Sequence, residues 1–127
     1  MDFEFKFEGR GGLPSLIFNE NKGTIKIYGK SLVMVKENFY LPLFKKLDEY
    51  LSFPRDIELT IDLEFFNTLS AKYLLELFYL IEEKQIKNNK DFIVKWMYED
   101  KDEDIKDSGE NYSKMIKYAE FELIKKN

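Results

Sequence analysis

At 127 residues the chain is long enough to bury a core as one domain, 1–127, and its 44% hydrophobic and 17% aromatic content excludes a wholly disordered polypeptide. It contains no Cys and no His, which excludes disulfides, zinc–thiolate sites, thiol nucleophiles and serine–histidine catalysis within the chain. The formal net charge of −4, with Lys and Arg scattered, argues against a general nucleic-acid binder.

The N-terminus "MDFEFKFEGR" alternates Phe with charge and lacks the basic-then-apolar layout of a signal peptide. Phe3, Phe5 and Phe7 against Glu4, Lys6 and Glu8 predict a strand with one wet face. After the turn-rich "EGRGGLP", "SLIFN" and "TIKIY" flank "NENKG", which predicts a hairpin. "NFYLPLFKKLDEYL" places Tyr40, Leu43, Phe44, Leu47 and Leu51 on one helical face, with Pro42 acceptable only in a first turn.

Residues 57–65 alternate most cleanly. Ile57, Leu59, Ile61, Leu63 and Phe65 are expected inward, and Glu58, Thr60, Asp62 and Glu64 outward. From Ser70 to about Lys87 apolar residues wrap most of a helix, leaving a wetter stripe at Lys72, Glu76, Tyr79 and Glu83. "DFIVKWMY" (91–98) reads as a central strand, "EDIKDSGENYSKMIKY" as a short helix broken near Gly109, and "FELI" (121–124) as a last strand. No apolar run approaches the roughly 20 residues of a membrane span. A cytoplasmic protein is the economical expectation.

The order ββ(β)-α-β-α-β-α-β predicts a two-layer α+β fold: a mixed sheet of about four to six strands with helices mainly on one face. The polar face of residues 57–65 excludes a doubly wound nucleotide fold, whose central strands are apolar on both sides.

Three motif-like stretches fail on chemistry. "GTIKIYGKS" (23–31) has five residues between its glycines where a phosphate loop has four, and those residues favour a strand. "DKDEDI" (100–105) puts Ile105 where a calcium loop needs Gly and Asn111 where it needs Glu, so it reads as an acidic helix start. Glu58, Asp62 and Glu64 lack any sign of a pocket that would separate their pKa values for acid/base work.

The junction "EFFNTLSAKYLLELF" (64–78) passes directly from strand to helix at Asn67-Thr68. Asn or Thr there caps a helix, contributing about 1 kcal/mol. A helix N-terminus also welcomes phosphate, because its unpaired amides and dipole favour an anion. A hydroxyl at that position can therefore be modified without loss of the fold.

At this point the chain resembles the SiaC-type family of bacterial regulatory phosphoproteins. The matching stretches are "GKS" (29–31), "FYLPL" (39–43), "LEFFNTLSAK" (63–72), "KWMYEDKDEDIKDSGENY" (95–112) and "FELI" (121–124), in the family's order. The resemblance implies a partner-switching protein with no catalytic residues and no cofactor or metal. Its threonine would be phosphorylated by a dedicated protein kinase and dephosphorylated by a PP2C-type phosphatase, and the unphosphorylated form would bind and activate a diguanylate cyclase. Carried over, the phosphoacceptor is Thr68, with Asn67, Ser70 and Lys72 as adjacent, partner-binding residues and Ser70 as the second acceptor. The layout is also similar to STAS-type antagonists. Where the family has further serines this chain has Leu69 and Ala71, and its Pro-Glu-Asn after the turn is replaced by Val33-Met34-Val35. Phe66 and Leu69 are candidates for an apolar rim. The alternatives are a scaffold module independent of phosphorylation, a small-molecule sensor with a pocket among the Phe and Tyr rings, and an enzyme resting on carboxylates, Lys and Tyr.

Overall fold

Strand-forming residues, a tight turn and more strand-forming residues build the first half of the sheet. In the computed structural model, which describes residues 4–34 and 39–127, β1 (Glu4–Phe7), β2 (Ser15–Asn19) and β3 (Thr24–Ser31) form an antiparallel ribbon. Phe3 and Val35 lie outside the described residues. The β2–β3 turn closes on Gly23, whose φ of +69° suits glycine and whose position against the Asp56 carbonyl leaves no room for a Cβ. The P-loop-like stretch is thus strand β3.

From β3 onward the strands run parallel, each reached through a helix: α1 (Tyr40–Tyr50), β4 (Ile57–Phe66), α2 (Thr68–Asn88), β5 (Phe92–Tyr98), α3 (Glu103–Met115) and β6 (Glu120–Lys125). The sheet order is β1-β2-β3-β4-β5-β6. Right-handed crossovers that always step in one direction must deposit all three helices on the same face. One core cluster follows, joining Ile25, Ile27, Leu59, Ile61, Val94 and Trp96 of the sheet to Leu47, Leu74, Phe78 and Ile105 of the helices. The fold is the expected α+β arrangement, with six strands.

The opposite sheet face is polar and largely satisfied. Lys95 Nζ lies 3.1 Å from Glu58 Oε1, and Lys126 Nζ lies 2.8 Å from Asp62 Oδ1 and 3.5 Å from Glu99 Oε1. The Asp62 hydrogen bond is the main cause that raises the ammonium pKa of Lys126. Glu58 and Asp62 are therefore counter-ions of a wet face.

Two expectations are corrected. Phe65 is 44% exposed because the β3–β4 register slips: Gly29 faces Leu63, but Lys30 faces Phe65. The extra residue in β4 is a bulge that inverts the alternation, turning Phe65 outward over Lys30 and Phe66 inward against Trp96. Helix α3 is also unbroken at Gly109. There a Cβ would collide with the Trp96 ring and lie 2.6 Å from Leu123 Cδ2, so this glycine serves close helix–sheet approach.

Candidate functional site

The strand–helix junction lies at the carboxyl end of β4, where the bulge has just changed which residues face solvent. Asn67 has extended backbone (φ −89°, ψ 177°) and is the N-cap of α2. Its Oδ1 accepts from Ser70 N at 2.9 Å, while its Nδ2 donates to the Val33 carbonyl at 2.8 Å. Its own N–H donates to the Ser31 carbonyl at 3.1 Å. The cap thus also staples α2 to the segment that follows β3.

Because Asn67 takes the capping role, Thr68 is the first helical residue and its hydroxyl is released from that duty. Thr68 is exposed, and its side chain makes no hydrogen bond with the described residues. Lys72, one turn along, is exposed as well and joins none of the ion pairs among the described residues. No acidic side chain occupies the first turn of α2. The junction therefore offers an accessible hydroxyl, a helix N-terminus and an uncommitted cation together.

Ser70 is a correction to the expected second acceptor and contact residue. It is wholly buried, at 0% exposure, so neither a kinase nor a partner reaches it in this conformation. Its Oγ donates to the Ser31 carbonyl at 2.6 Å and accepts from Ser31 Oγ at 2.8 Å. Ser31 Oγ in turn lies 2.7 Å from the Tyr40 hydroxyl. Each hydroxyl has one proton, so counting fixes the direction: Tyr40 donates to Ser31, Ser31 to Ser70, and Ser70 to the Ser31 carbonyl. Every buried proton in this relay finds an acceptor. Burial, opposed only in part by the Ser31 hydrogen bond, pushes the Tyr40 phenol up to about 12.

Other parts of the chain brace the same corner. Tyr112 of α3 donates to the Ala71 carbonyl in the first turn of α2 at 2.8 Å, and burial raises its phenol pKa too. Trp96 donates its indole N–H to the Ile105 carbonyl at 2.8 Å and meets Phe66 edge-on, with ring centroids 6.0 Å apart. Asp102 caps α3 by accepting from Ile105 N at 3.0 Å, so the calcium-like stretch is an acidic helix start. Phe66 and Leu69 are half-buried and packed against the core, which makes them supports more than rim.

The exposed apolar residues beside the junction are others: Leu32 (36%), Met34 (64%) and Phe65 (44%). Sequence reasoning passed over Leu32, named Met34 only as a departure from the family and expected Phe65 inward; it gave Ser31 and Tyr112 no role and Tyr40 only a place on the apolar face of α1. The only available signal was their position in stretches shared with the family, "GKS", "FYLPL" and "GENY". The structure brings the first two of these to the "FNTLS" junction directly and the third through Tyr112.

Over 96–98% of its length the chain superposes on three solved structures from Pseudomonas aeruginosa. Apo-SiaC matches at 17% identity with a TM-score of 0.79, covering 98% of this chain and 99% of that one. A chain from the complex of the diguanylate cyclase SiaD with its activator SiaC matches at 19% identity and a TM-score of 0.83, covering 96% and 99%. A further SiaC structure matches at 17% identity and 0.79, covering 96% of each chain. No curated protein sequence matches the chain. The pattern of the "SiaC family regulatory phosphoprotein" fits residues 7–126, nearly the full length with every segment of the junction included, and the chain belongs to that family.

Proposed function

We propose that this protein is a non-enzymatic phosphoswitch, acting as one regulatory domain in the cytoplasm, whose phosphoacceptor is Thr68. A protein kinase adds the phosphoryl group, a PP2C-type phosphatase removes it, and the unphosphorylated form binds and activates a diguanylate cyclase. The observation that carries this reading is the division of labour at the junction: Asn67 caps and Ser70 is buried, while Thr68 holds an exposed, unbonded hydroxyl at the start of α2. The activator role is supported by the related SiaC, which is found in complex with the cyclase SiaD.

The switch has a local electrostatic cause. Phosphorylation adds about −1.5 to −2 charges at the helix start. The α2 amides and Lys72 accommodate them, so the fold is retained. A partner resting on the apolar surround of Leu32, Met34 and Phe65 would have to desolvate that charge. A loss of about 3 kcal/mol weakens such a complex more than 100-fold.

The test is the affinity of the cyclase for wild type, Thr68→Ala and protein phosphorylated in vitro, with the site mapped by mass spectrometry. Thr68→Ala is expected to bind like wild type and the phosphoprotein at least ~100-fold more weakly. Equal affinity for all three would leave a scaffold module indifferent to phosphorylation.

A further inference from the structure

Away from the junction, strands β1 and β2 and the first turns of α1 form a half-open apolar cavity of about 350 Å³. Phe7, Leu13, Leu16, Phe39 and Leu43 line it, and the one charged residue in its described lining is Lys46. We propose that this cavity binds a small amphipathic anion, a straight-chain monocarboxylate whose alkyl chain fills it and whose head group pairs with Lys46.

Size, wall chemistry and charge each support the assignment. The volume falls within the roughly 300–1,000 Å³ of small-molecule sites. The walls are anchored: Leu16, Phe39 and Leu43 are core residues, and the Phe7 and Phe39 rings pack with centroids 5.8 Å apart. An alkyl chain laid against these apolar walls gains dispersion contacts and leaves water. A sugar or nucleotide would need several convergent polar groups, which the described lining lacks.

Lys46, the one cation of the described lining, selects the head group. Lys46 Nζ lies 3.5 Å from Glu20 Oε1, longer than the ~2.7–2.9 Å of a charge-assisted hydrogen bond. An ammonium has three donors, so a ligand carboxylate can join or displace Glu20.

The cavity is linked to the junction through Phe39 and Tyr40. Phe39 meets Tyr40 edge-on at 4.9 Å, and Tyr40 heads the relay to Ser31 and Ser70. An occupant against Phe39 therefore sits two side chains from the buried hydroxyls that hold the start of α2.

The experiment is calorimetric titration of the full chain with hexanoate, octanoate, decanoate and decanol, below micelle-forming concentrations. Affinity is expected to rise about fourfold per methylene and to level off once the cavity is full. Lys46→Gln should weaken decanoate roughly fivefold and leave decanol unchanged. Leu13→Trp, which fills the cavity, should abolish binding of both. Absence of binding, a rise with no plateau, or undiminished binding to folded Leu13→Trp overturns the proposal. Should Leu13→Trp not fold, equal losses for acid and alcohol in Lys46→Gln overturn the assignment of the head group.

Discussion

The buried hydroxyl relay makes an unequal prediction about three single substitutions. Tyr40 is its head, so Tyr40→Phe removes one donor and leaves no proton stranded, costing about 0.5–1.5 kcal/mol. Ser70 is its last side chain. In Ser70→Ala, Ser31 loses the acceptor of its proton, and if Ser31 turns to donate to Tyr40, the Tyr40 proton is orphaned instead. Either way a buried O–H is unsatisfied, adding about 1–3 kcal/mol to the lost bonds. Ser31→Ala also breaks two bonds and strands one proton, that of Tyr40, so its cost should be close to that of Ser70→Ala. Denaturant titration at pH 7 with a common m-value reads the differences directly. If Tyr40→Phe proves as costly as Ser70→Ala, the inferred proton direction is wrong.

The cap, the tight glycine and the buried phenol lead to further expectations. Asn67→Ala should cost about 1–2 kcal/mol in denaturant, and Asn67→Asp should also destabilise, since Asp keeps the cap but turns a carboxylate oxygen onto the Val33 carbonyl where the amide donated. Gly109→Ala should cost about 1–3 kcal/mol or more and shift Trp96 fluorescence, because the new methyl meets that ring; an unshifted spectrum would place α3 farther from the sheet. Alkali should destabilise the fold through Tyr40. Its phenol is held near 12 when folded against 10.0 when free, so its contribution is intact below pH 10 and lost as the pH climbs through 12. The loss is at most about 3 kcal/mol, from that difference at ~1.4 kcal/mol per pH unit. Tyr40→Phe should flatten this part of the stability profile, with Tyr112, also pushed up by burial, leaving a residual slope.

Much of the architecture was legible because local periodicity reports which faces are buried. Residues 57–63 alternate in structure as in sequence, and the wet stripe of α2 is exposed at Lys72, Glu76, Tyr79 and Glu83. The element order, with right-handed crossovers, then leaves one side for the helices. The candidate site was half legible. A capping residue beside a hydroxyl is a local pattern, and the stretch containing Thr68 carries the family resemblance. Which of Asn67 and Thr68 caps, and so whether the Thr68 hydroxyl is left over, depended on the backbone at the turn and on the Val33 carbonyl that Asn67 also holds.

By itself, then, the sequence determined the layers, the single-sided placement of the helices and the position of the strand–helix junction, since each follows from periodicity or from the chirality of connections. Tertiary structure alone decided that Phe65 faces solvent, that Gly109 lies inside a helix and that Ser70 is sealed behind Ser31 and Tyr40. Those outcomes turn on a register slip, a ring against a backbone, and hydroxyls 39 residues apart in the chain. Long-range packing sets them, and no window of neighbouring residues contains it.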